Sequence, residues 1–214
     1  NTVAISGGTV ANAYGADVRT KNGNATENTA EITNGTVGSV YGASLAAAGA
    51  TGTANKSKVN ITGGTINGSV YGGHIANAAA TGQITNSEVN IAGGSISGAK
   101  VMGAEAAGNA EKNTVTITAT PTANAATEII GGRSTGGDAI ENVVNVNASI
   151  TGDVYGGRAH NASLRNTVNI ADGVTVTGNV FGGACVIAKD NQIYVGKGST
   201  VTGNVTGGSA PTSD

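Results

Sequence analysis

The sequence predicts an all-β chain wound as a right-handed parallel β-helix, about eight rungs of 24–31 residues with three short strands each. Three observations predict it. The phrase Val-Tyr-Gly-Gly returns at a near-constant interval, cleanly as Val70–Gly73 and Val154–Gly157. A second phrase, Asn-x-Val-x-Ile, returns with it in fixed order, as at Asn113–Ile117 and Asn166–Ile170. Glycine fills 36 of 214 positions, aromatics are 3% and tryptophan is absent, so a broad globular core cannot be filled. A fixed period of this size marks stacked structural units.

Each rung opens on the Asn phrase, whose strict apolar–polar alternation is that of a half-buried strand. Val59/Ile61, Val89/Ile91 and Val168/Ile170 are placed inward, and Asn60, Asn90 and Asn169 outward. A glycine corner follows at Gly7-Gly8, Asn34-Gly35, Gly63-Gly64, Gly93-Gly94, Asp172-Gly173 and Lys197-Gly198. Such pairs accept the positive φ of a sharp turn. A second strand carries Thr36-Val37, Thr65-Ile66 or Thr175-Val176, and the Val-Tyr-Gly-Gly strand comes third. A return segment of variable length, longest after Ala43 and Gly73, closes the rung. The rung exceeds the roughly 18 residues of left-handed hexapeptide coils, and parallel crossovers are preferentially right-handed. Eight rungs stacked about 4.8 Å apart span roughly 35–40 Å. The fifth rung departs from the pattern at Ala119-Thr120-Pro121-Thr122, where a proline cannot donate to a ladder and a bulge is expected. Residues 1–208 read as one solenoid and 209–214 as a tail.

Stacking turns equivalent residues into columns. One holds Asn1, Asn28, Ser57, Ser87, Asn113, Asn142, Asn166 and Asn191. There each amide can satisfy corner backbone and bond to the next, at about 1 kcal/mol net per bond. A second holds Tyr14, Tyr41, Tyr71, Met102, Ile130, Tyr155 and Phe181. The position before the Asn column reads Glu27, Lys56, Asn86, Lys112, Glu141, Arg165, Asp190, and its alternating sign is expected to help fix register.

A formal net charge of −2 argues against a nucleic-acid binder. The single cysteine, Cys185, excludes an internal disulfide framework and reads as a small buried thiol. No apolar run is long enough to span a membrane, so no membrane insertion is expected from this segment. The chain starts at Asn1 and reads as a processed or excised piece of something longer.

A search for chemistry returns little. The 13 acids are scattered, without Asp-Asp or Asp-x-Asp, so no carboxylate pair for glycoside chemistry is visible. His74 and His160 lie in different rungs, and no His, Cys or acid recurs at metal-ligand spacing. The chain is therefore read as non-enzymatic, without cofactor or metal. Arg133 and Arg158 follow the second glycine of adjacent rungs, where they could hold an anionic sugar or pair with Asp138 or Glu128. Thr-x-Thr rows such as Thr175-x-Thr177 and Thr200-x-Thr202 leave an ice-binding face open as an alternative, beside ordinary outward strand threonines.

The combined phrase, best seen at Ser57–Gly73, resembles repeats in the passenger regions of bacterial autotransporter-type surface proteins and adhesins. The resemblance runs along almost the whole chain. It implies a right-handed β-helix exported through an outer-membrane barrel, and hence an extracellular or cell-surface location. The expected role is a rigid stalk displaying loops to a host-cell or bacterial surface protein or glycan. The contact surface is placed on the long corners 44–56 and 74–86, with Ser44, Thr51, Lys56, His74, Arg133 and Arg158 as candidate contacts. Two alternatives stand beside it: a subunit that stacks on itself end to end, and a polysaccharide-active β-helix enzyme.

Overall fold

A computed structural model describes residues 1–75, 77, 79–98, 100–120 and 128–210. The chain is an all-β parallel solenoid whose strands form three sheets, with every strand pair parallel. The Asn phrase makes the first ladder, eight strands deep, from Thr2–Ile5 to Gln192–Val195, so about seven turns separate its ends. Its register stacks Ile5, Ile32, Ile61, Ile91, Ile117, Val146, Ile170 and Val195.

The inward aliphatics form one continuous core with Val37, Ile66, Ile96 and Val176 of the second ladder and Val40, Val70, Val154 and Val180 of the third. Burying each Val or Ile contributes about 1.5–3 kcal/mol, which lets a thin core replace a wide one. The glycine corners turn as the sequence implies: Gly8, Gly35, Gly64, Gly94, Gly173 and Gly198 all have φ between 70° and 94°.

The return segment is not all loop. Its last residues form a fourth short ladder of seven strands, from Ala25–Thr26 through Gln83–Thr85 to Ile187–Lys189. Behind it lies a second small core that includes Leu45, Ala54, Ile75, Ile84, Ala104 and Ala110. The Asn column stands between the two cores and is buried from Asn28 to Asn166, with Asn113, Asn142 and Asn166 0% exposed, while Asn1 and Asn191 at its ends are not fully covered. Pro121 and the bulge expected there lie outside the described residues. The last strand is Val205–Ser209.

The first glycine after the aromatic position is fixed by close approach. A Cβ on Gly156 would stand 2.5 Å from the carbonyl oxygen of Gly182 in the next coil, and one on Gly131 2.5 Å from that of Gly156. Backbone packs on backbone there, which no other residue permits.

Candidate functional site

The third ladder carries the aromatic row on its outer face. Tyr14, Tyr41 and Tyr71 stack with centroids 4.7 and 5.2 Å apart and planes within 7°. Tyr155 and Phe181 stack at 4.8 Å. Met102 and Ile130 fill the row between them and are fully buried. Burial pushes the Tyr71 and Tyr155 hydroxyls above the usual tyrosine range, so both remain protonated donors at neutral pH.

Three residues past each aromatic runs a chemically mixed column: Asp17, Ser44, His74, Glu105, Arg133, Arg158 and Ala184 in successive coils. Arg133 and Arg158 are register partners, an arrangement of like charges that repels. Each finds its own carboxylate. Arg133 Nη1 donates to Glu105 at 2.7 Å within the column. Arg158 Nη1 donates to Glu128 at 2.7 Å and its guanidinium lies 5.6 Å from the Tyr155 ring centre. Glu128 stands two residues before Ile130, on the other flank, so Arg158 reaches across the row. Lys100 Nζ approaches the same carboxylate at 3.9 Å.

This corrects one expected partner and settles another. Asp138 does not pair with Arg133, because its carboxylate accepts from the Ala162 N–H at 3.1 Å on the return side. Glu128 is indeed the partner of Arg158. Each arginine thus has a carboxylate partner in a neighbouring coil. Glu105, which the sequence places in a loop after an Ala-for-Gly substitution, instead lies in the strand Lys100–Ala106 and occupies the column that holds His74 and Arg133.

Toward the N-terminal end of the same face, between the Asp17–Arg19 and Glu105–Arg133 pairs, a groove of about 460 Å³ opens. Tyr14, Tyr41, Ser44, Leu45, Ala46, His74 and Asn77 line it. His74 leans on Tyr41 and Tyr71 at 5.2 and 4.5 Å between ring centres. Burial lowers its pKa, partly opposed by Glu105 at 3.6 Å, so the imidazole is neutral at pH 7.

The structure therefore joins two candidate contacts, Ser44 and His74, which are direct register partners. Thr51 and Lys56 do not line the groove. Thr51 donates to Asn22 Oδ1 at 2.7 Å on the return, and Lys56 sits at a corner, 3.5 Å from Glu27.

The position before the Asn column has a role that charge pattern hid. Glu27, Lys56, Asn86, Lys112, Glu141, Arg165 and Asp190 all adopt φ of 53–57°. This is the left-handed corner that swings the chain from the fourth ladder into the first. Alternation yields ion pairs at Glu27–Lys56, Lys112–Glu141 and Arg165–Glu141. The expected last step, from Arg165 to Asp190, makes no ion pair among the described residues. Cys185 is buried, its thiol 2.8 Å from the Asn161 carbonyl oxygen.

Among the described residues no group of three His, Cys, Asp or Glu converges as a metal site. Comparison with family models, curated proteins and solved structures finds no match.

Proposed function

We propose that this chain is a non-enzymatic structural and adhesive module, a stalk segment at a bacterial surface that displays its return side for contact with a host cell, another bacterium or a glycan. One observation carries the reading. Three ladders repeat coil after coil, while differences in length and chemistry concentrate on the return side and the column beside the aromatic row. A scaffold held constant beneath variable edges suits display. The extracellular, surface-borne setting rests on the resemblance of the repeated phrase to adhesin passengers.

The test keeps the scaffold intact. Residues 46–49 are exchanged for a short turn, leaving the buried Ala50 and the ladder strand Thr53–Asn55, and His74 is separately changed to Gln. Adhesion of beads coated with the protein to bacterial and epithelial cells should fall for both variants. Unchanged adhesion for both removes the contact assignment, and turnover on a polysaccharide panel would replace the reading with an enzyme.

A second reading, end-to-end association, draws on the last coil, where Tyr194, Val195 and Val205 are 56%, 46% and 50% exposed. A further coil would cover them, supplied by more of the same chain or by a second copy. Light scattering at rising concentration separates these, since only association gives growing particles.

A further inference from the structure

We propose that the groove beside Tyr14 and Tyr41 is a binding site for an uncharged saccharide; the inference rests on the adhesive reading and names the ligand class of that same surface. Its lining mixes polar and apolar side chains and carries no formal charge. Ser44, His74 and Asn77 line it; the Ser44 hydroxyl and the Asn77 amide nitrogen make no hydrogen bond among the described residues, and His74 Nε2 stands 3.6 Å from Glu105. Asn77 is held in place because its side-chain oxygen accepts from the Ala79 N–H at 3.1 Å. Three convergent neutral groups beside tyrosine edges and the exposed Ala46 methyl match a ligand that alternates hydroxyls with C–H surface.

Charge excludes the alternatives. His74 is neutral, and the carboxylates on either side of the groove are each bound by an arginine, Glu105 by Arg133 and Asp17 by Arg19. Arg133 and Arg158, which would attract a sulfated or uronic sugar, lie two and three coils beyond His74 and are already paired, and Arg19, beside the groove but not in its lining, is held by Asp17 at 2.8 Å. An anion entering the groove would meet no cation among its lining residues. A neutral ligand loses little on leaving water if its hydroxyls are met, and the groove volume lies within the range of small-molecule sites. Tyr41 is stacked on both faces, by Tyr14 and Tyr71, and so offers the groove its edge, whereas Tyr14 is stacked on one face only among the described residues.

Titration calorimetry of the intact chain against soluble oligosaccharides tests this, using uncharged hexose and N-acetylhexosamine chains beside sulfated and uronic ones. An uncharged chain should bind, and His74→Gln, Asn77→Ala and Tyr14→Phe should each weaken it about ten-fold at an unchanged unfolding midpoint. Lys56→Ala, outside the groove, should leave it unchanged. Binding confined to charged chains overturns the proposal, as does uncharged binding that survives all three variants. If no saccharide binds while cell adhesion persists, the saccharide site falls and the adhesive reading stands; if adhesion is also absent, both fall.

Discussion

The two halves of the buried Asn column are built differently. In the C-terminal half the amides form a closed chain. Asn142 Oδ1 accepts from both the backbone and side-chain nitrogens of Asn113, at 3.0 and 2.9 Å. Asn142 Nδ2 donates to Asn166 Oδ1 and to the Ala110 carbonyl, both at 2.9 Å. Asn166 repeats the pattern onto Asn191. In the N-terminal half Ser57 and Ser87 interrupt the column, and Asn28 Nδ2, Ser57 Oγ and Ser87 Oγ are buried without partners among the described residues. A buried polar chain stabilises only where each member is satisfied. The solenoid is thus tied by hydrogen bonds toward its C-terminal end and by apolar packing toward its N-terminal end, where the second core and the groove lie.

The largest expected effect follows directly. Asn142→Ala strands the Asn113 backbone N–H, leaves Asn113 Nδ2 only its bond to the Ile84 carbonyl, takes a donor from the Ala110 carbonyl, and should cost about 3–4 kcal/mol. Asn28→Ala removes an amide that accepts from Asn1 at 2.8 Å but wastes its own donor, and should cost about 1 kcal/mol. Urea unfolding together with hydrogen exchange at the Asn113 amide reads both, because a solenoid can open coil by coil. Equal costs would erase the difference between the halves.

Glycine stacking gives the next contrast. Gly156→Ala places a methyl group against the Gly182 carbonyl and should cost about 2–3 kcal/mol. Gly207, at the equivalent position of the last coil, has open space around its Cβ direction, and Gly207→Ala should stay within about 0.5 kcal/mol. Thermal unfolding of the two variants compares them.

The column can also be tested by repair. Beside Gly132 and Gly157 the space is taken by the side chains of Asn142 and Asn166. Beside Gly73 it is taken by Ile84, three residues before Ser87. Ser87→Asn alone should therefore overpack and cost about 1–2 kcal/mol. Combined with Ile84→Ala it should be more stable than the sum of the two changes by at least about 1 kcal/mol. Simple additivity in a double-mutant cycle would show that Ile84 is not what keeps asparagine out.

These contrasts also show which features the sequence makes legible. The first three ladders announce themselves because each carries large aliphatics or glycine pairs at a fixed interval. The fourth does not, since Ala25, Ala54, Ala110, Ala139 and Ser163 are small and follow segments of unequal length. The arginine partners follow one rule: in a solenoid, contact runs between coils. Asp138 is five residues from Arg133 in sequence, yet Glu105, one coil away in the same register, is the partner. The groove's Ser44–His74 pairing obeys that rule too, but its walls depend on side-chain directions that repeat spacing does not encode. Backbone dihedrals are equally silent, which is why seven left-handed corners looked like a charge pattern alone.

Those corners yield the smallest effect and again divide by position. A non-glycine residue at positive φ costs about 1–2 kcal/mol, against about 0.5–1 kcal/mol for the extra chain entropy of glycine. Lys56 is offset only by its exposed contact with Glu27, 3.5 Å away with both side chains more than half exposed, which contributes little. Lys56→Gly should therefore raise stability by about 0.5–1 kcal/mol. Arg165 differs: its Nε and Nη2 both reach Glu141 Oε1, at 3.0 and 2.9 Å, and Glu141 is also approached by Lys112. Arg165→Gly gives up that network and should be close to neutral. If Arg165→Gly instead stabilises as much as Lys56→Gly, the alternating charges at the corners add nothing to register, and the corner residues simply carry strain.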